Sequence, residues 1–174
     1  RIPFLAEVFP DARFVYLHRE PRQVLSSMIE AWTSGRFVTY PQLPGWTGPP
    51  WSLLLVPGWR ELIGKPLQQV VATQWRTTTQ LMLDDLEQLP RERWSVTTYD
   101  DFLANPQGEA QRICAAHGLD WDRTIGGAVP LANYTVSPPD PQKWRRHEAE
   151  IASIWPSIEA VCRRAELLLA SRQA

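Results

Sequence analysis

Residues Phe9–Trp32, FPDARFVYLHREPRQVLSSMIEAW, leave the chain little choice of architecture. Phe14, Val15, Tyr16 and Leu17 form a short β-branched and aromatic run after the turn signal Pro10-Asp11, which suits a buried strand of an α/β sheet. A helix should begin near Pro21, whose φ is preset for a first helical turn and whose missing N–H would have no partner there anyway. Val24, Leu25, Met28, Ile29 and Trp32 then recur at helical spacing, and Gly35 supplies the stop. Arg19 therefore sits where a strand ends and a helix begins. By strand alternation His18 points to the opposite side, as a packed residue or as one that supports a site residue from behind.

In a parallel α/β sheet such a junction binds ligands, because the helix N-terminus offers N–H groups and the positive end of its dipole to an anion. An arginine there adds a planar, permanently charged fork that matches phosphate oxygens. Ser27 lies two turns into the helix, and helical side chains lean back toward the N-terminus, so its hydroxyl can reach the same anion. Arg19 and Ser27 together describe a phosphate clamp.

Residues 9–27 resemble the 3′-phosphate-binding segment of the PAPS-dependent sulfotransferases, in which a strand ends in arginine and the following helix presents a serine eight positions later. Tyr99-Asp100-Asp101-Phe102 is similar to that family's strand-ending Tyr-Glu-Asp, with Asp100 in place of glutamate, and the resemblance gives Tyr99 an adenine-side role. Lys143-Trp144-Arg145, after a proline-rich stretch, resembles the late basic loop that closes over the 3′-phosphate. The usual Arg-Lys-Gly is absent, so the contact is left open between Lys143, Arg145 and a backbone N–H. The implied fold is α/β, a P-loop-NTPase-like parallel sheet flanked by helices. No glycine-rich phosphate loop precedes Arg19, and Gly45, Gly48 and Gly58 lie among prolines and tryptophans. The resemblance thus covers only the later part of the family's domain, without the N-terminal strand, loop and helix that hold the 5′-phosphosulfate.

Residues 1–174 read as one partial domain. Arg1–Val8 is expected to be the tail of a helix or a connecting segment, with Phe4, Leu5 and Val8 as its buried side. The chain opens without a methionine almost directly into a strand, which suggests a longer protein, and the family's catalytic base is expected upstream of Arg1. Residues 36–60 hold five prolines, three glycines and three tryptophans, too many for a regular element and too aromatic for a solvated linker. An ordered loop of this kind either packs over the core or lines a pocket, and Trp46, Trp51 and Trp59 are its candidate acceptor-binding residues.

Leu67, Val70, Val71, Gln74, Trp75, Thr78, Leu81, Met82 and Leu86 keep a 3.6-residue stripe that predicts a helix over Pro66–Leu89. Arg93–Tyr99 reads as a second strand, parallel to the first, and Gln107–His117 as a helix closed by Gly118. Residues 120–141 are irregular. Residues 142–174 carry the basic segment and then a helical tail over about Glu148–Ala170, with a kink at Pro156. His147 is given no catalytic role.

A net charge of −1, from 18 Lys plus Arg against 19 Asp plus Glu, argues against broad binding to nucleic acid or a membrane surface, so any anion site must be local. Cys114 and Cys162 lie far apart with no C-x-x-C, which fits buried thiols in a reducing cytoplasm and no metal site. No signal peptide is visible, and the apolar run around Trp51–Trp59 is too short and too proline-broken to span a bilayer. The resemblance implies sulfuryl transfer from PAPS, without a metal, to a hydroxyl or amine of a small acceptor. The aromatic loop favours an apolar one. This chain would supply the 3′-phosphate-binding part and would be inactive alone. The alternative is a non-catalytic binding module that keeps the fold and offers its Trp-rich loop to a partner.

Overall fold

A computed structural model describes residues 1–126, 135–137 and 140–171. They divide into two compact units. One is built from residues 1–19, 81–126 and 163–171, and the other from residues 20–80, 135–137 and 140–162. Of the stretch 120–141 expected to be irregular, residues 127–134 and 138–139 lie outside the described residues.

The first unit holds helix α1 (Ile2–Val8) and strand β1 (Phe14–His18). Strand β4 (Trp94–Thr98) pairs with β1 in parallel, from Phe14 opposite Trp94 to His18 opposite Thr98, so the expected parallel pair is observed. A parallel pair needs a long crossover, and residues 19–93 provide one. Tyr16 and His18 face inward, and the Tyr16 hydroxyl and His18 Nδ1 lie 3.0 Å apart. Two expectations fail here. Val15 and Leu17 are 46% and 50% exposed, because strand alternation sends them to the uncovered face, so β1 is buried on one side only. Phe4, Leu5 and Val8 are exposed as well, and α1 buries no residue.

Strand β4, in contrast, is buried at four of its five residues. It runs into helix α4 (Tyr99–Ala104), capped by the Thr98 hydroxyl on the Asp101 N–H, and then helix α5 (Pro106–Ala116), capped by Asn105 on the Gly108 N–H. The Glu109 carboxylate of α5 accepts from the Thr97 hydroxyl at 2.6 Å and pairs with Arg112, which donates to the Val96 carbonyl at 2.9 Å. Gly118 takes the left-handed conformation after α5 at φ 67°, as its place after a helix requires. Arg164 bridges Glu87 and Asp84, and these hydrogen-bonded carboxylates raise its already high pKa.

The second unit centres on helix α2 (Pro21–Ser34), which starts at Pro21 and stops at Gly35 with φ 65°. It buries Leu25, Ile29 and Trp32. Within residues 36–60 the structure adds what composition concealed, a short antiparallel pair of β2 (Val38–Tyr40) and β3 (Trp51–Ser52), followed by a 3-10 turn at Trp59–Leu62.

One buried amide holds this segment. Gln74 of helix α3 (Leu67–Glu87) is 1% exposed, accepts from Trp32 Nε1 at 2.8 Å, and donates to the carbonyls of Ser52 at 3.0 Å and Leu54 at 2.7 Å. Those two carbonyls flank Leu53, whose φ of 62° costs roughly 1–3 kcal/mol for a side chain with a Cβ. The Gln74 amide thus grips the chain on both sides of its strained residue. The C-terminal part is helix α6 (Glu148–Ile154), a 3-10 turn at Trp155–Ser157 and helix α7 (Glu159–Ala170), broken at Pro156 as proline's missing N–H requires. No helix among the described residues is long and apolar enough to cross a membrane.

Candidate functional site

At the C-terminal edge of the parallel pair, β1 ends at His18 and β4 at Thr98, directly opposite one another. The next residue of each strand is Arg19 and Tyr99. The Arg19 guanidinium lies 4.6 Å from the centroid of the Tyr99 ring. Stacking on an aromatic face sets the plane of the fork without using its N–H groups as the source of attraction. The structure therefore brings together two of the residues marked in the sequence, at the edge where ligands bind in open α/β sheets.

In the second unit, the α2 N-terminus differs from the expectation of N–H groups open to an anion. The Glu20 side chain caps the helix by accepting from the Gln23 N–H at 2.9 Å, and lies 3.4 Å from Arg22 Nη1. A carboxylate already sits at the positive end of the dipole, where it is favoured. Ser27 is half-buried, and among the described residues its hydroxyl makes no hydrogen bond. Its neighbour Ser26 is buried, with Oγ 2.9 Å from His147 Nδ1.

The basic segment forms a 3-10 turn at Lys143–His147. Lys143 Nζ is 2.5 Å from Glu30 of α2, Arg146 lies 3.8 Å from the other Glu30 oxygen, and the Ser137 hydroxyl is 3.3 Å from Glu30 Oε2. Arg22 stacks on Trp155 at 4.3 Å and faces Trp144 at 5.5 Å. Arg145 is exposed, with its Nε donating to Gln142 Oε1 at 2.7 Å. Lys143 and Arg145 thus have different settings, one in an ion pair and one turned to solvent.

The three tryptophans of the loop also separate. Trp51 is fully buried, with edge-on rings of Trp32, Trp46 and Trp59 at 5.3, 4.9 and 6.1 Å, and Trp59 is buried too. Trp46 is half-buried and lines a pocket of about 510 Å³ with Pro41, Leu43, Pro44 and Pro50. Its indole N–H donates to the Pro49 carbonyl at 2.7 Å. Its ring lies against Gly48, where a Cβ would come within 2.6 Å of the indole. No larger residue fits there without moving the ring.

The profile of the sulfotransferase family matches residues 1–123, a stretch that contains Arg19, Ser27, the tryptophan loop and Tyr99. The chain belongs to the sulfotransferase family. No curated protein and no solved structure matches it. Sulfuryl transfer is the general chemistry of that family. The basic segment of this sulfotransferase lies beyond the matched stretch.

Sequence reasoning missed Glu30, Ser26 and Arg22 of this sulfotransferase. They stand at i, i+4 and i+8 on α2, so a shared face was legible. Their partners, more than a hundred residues away, carry no local signal. Among the described residues no cluster of three His, Cys, Asp or Glu side chains has the geometry of a metal site.

Proposed function

We propose that this sulfotransferase binds PAPS, with Arg19 and Ser27 on the 3′-phosphate and Tyr99 on the adenine side. The acceptor would be a small apolar molecule bearing a hydroxyl or amine. The observation that carries the reading is the Arg19 guanidinium held over Tyr99 at the ends of two parallel strands. In the reaction, the acceptor oxygen or nitrogen bonds to sulfur as the bond between sulfur and the 5′-phosphate oxygen breaks. The acceptor proton passes to a base, and adenosine 3′,5′-bisphosphate leaves. This chain's share is to bind and orient the nucleotide through its 3′-phosphate, and no residue of it is assigned as the base.

Of the three tryptophans, Trp46 is the one we assign to the acceptor, because it lines a pocket while Trp51 and Trp59 are buried anchors. A cytoplasmic location belongs to the same reading. Calorimetric titration of the full-length protein with adenosine 3′,5′-bisphosphate tests the clamp. Arg19→Ala should weaken binding by about 1.5–3 kcal/mol, the scale of hydrogen bonds to a charged group, and Ser27→Ala by less. Unchanged affinity in both variants refutes it.

A further inference from the structure

We propose that Ser26 and Glu30 form a two-point latch that positions the basic segment 143–147 for the nucleotide, and that Lys143 serves this latch and not the phosphate. The inference rests on the nucleotide-binding reading above and deepens it. Ser26 and Glu30 are one helical turn apart on one face of α2. They hold His147 and Lys143, which are themselves four residues apart: Ser26 Oγ lies 2.9 Å from His147 Nδ1, and Glu30 2.5 Å from Lys143 Nζ. The order is antiparallel, so the two tethers fix the direction of the segment as well as its place.

The Glu30 and Lys143 side chains are each 13% exposed, so the pair is shielded from solvent, and Arg146 and Ser137 add to the same carboxylate. Arg22 extends the stripe by one more turn through Trp155 and Trp144. With Lys143 neutralised, the segment turns Arg145 outward; among the described residues no carboxylate pairs with Arg145, and its ring neighbour Trp144 lies 5.3 Å from the guanidinium. Ser27, next to Ser26 on the same helix, keeps its hydroxyl for the ligand. Neighbouring serines thus divide the work: one holds the segment, the other meets the phosphate.

The latch makes a prediction opposite in sign to simple electrostatics. Removing the Glu30 carboxylate deletes a negative charge from the helix that meets an anion, which by Coulomb's law alone should tighten nucleotide binding. If Glu30 positions the segment, Glu30→Ala should instead weaken adenosine 3′,5′-bisphosphate binding to the full-length protein by about tenfold, the scale of one charge-assisted hydrogen bond. It should also speed tryptic cleavage after Arg145 and Arg146 in the absence of nucleotide. Ser26→Ala, which removes only a hydroxyl, should shift both readouts the same way by less, and serves if Glu30→Ala does not fold. In a double-mutant cycle, Lys143→Met should cost affinity in the wild-type background and nothing further in Glu30→Ala. Unchanged or tighter binding in Glu30→Ala, or additive losses with Lys143→Met, would overturn the latch while leaving the nucleotide reading in place. A wild-type protein that binds no adenosine 3′,5′-bisphosphate would sink that reading and the coupling with it, even if cleavage showed the segment held.

Discussion

The β1–β4 pair and the 36–60 segment are held together by opposite means. In the first, backbone ladders do most of the joining, and one strand can leave Val15 and Leu17 in solvent while keeping its register. In the second, the ladder is only a short pair of strands, and side chains supply what the backbone does not: the Trp51 cluster and the three hydrogen bonds of Gln74. A proline-rich segment lacks many N–H donors, so its carbonyls must find partners elsewhere. The contrast teaches where each region is vulnerable. On its open face the strand pair should tolerate changes at single side chains, and the loop should depend on a few.

The strongest test of that contrast is Trp51→Ala, which removes a fully buried indole from the centre of the aromatic cluster and should cost about 3–5 kcal/mol in urea unfolding. A loss below 1 kcal/mol would show the loop to be held by its backbone after all. Next comes Gln74→Leu, which takes the Gln74 partner from Trp32 Nε1 and from the Ser52 carbonyl, while the Leu54 carbonyl keeps the Trp51 indole N–H. At about 1–3 kcal/mol for each buried group left unsatisfied, relaxation should still leave a loss of at least about 2 kcal/mol, with the altered near-ultraviolet spectrum of displaced tryptophans.

In the first unit, Glu109→Gln removes the charge shared by Thr97 and Arg112. The loss should be about 1 kcal/mol, since Arg112 is partly exposed and solvent screens the pair. Smallest of all, Leu17→Thr on the open face of β1 should stay within about 0.5 kcal/mol by thermal unfolding, as surface substitutions usually do. A large loss there would mean that this face is covered in the protein as it works.

Much of the fold was legible because its signals are local. Pro21 and Gly35 bracket α2, the run from Phe14 marks β1, the stripe from Leu67 to Leu86 gives α3 within two residues, and Pro156 breaks the tail. Each depends on neighbours within a turn or two of chain, where propensity, capping and proline geometry act. The second strand came out one residue short at each end, since Arg93 belongs to a 3-10 turn and Thr98 caps a helix that claims Tyr99.

The sequence by itself therefore determined the strand-to-helix junction that holds Arg19, the helices and their ends. Tertiary structure alone decided which face of β1 is covered, that Gln74 of the α3 stripe is a buried clamp and not a surface amide, and that Trp46 lines a pocket while Trp51 and Trp59 are buried. It alone joined Ser26 to His147 and Glu30 to Lys143. The physical reason is range. Secondary structure is set by hydrogen bonds and steric limits between near neighbours, whereas burial and ion pairing depend on which distant segment arrives, a choice made by the packing of the chain as a whole.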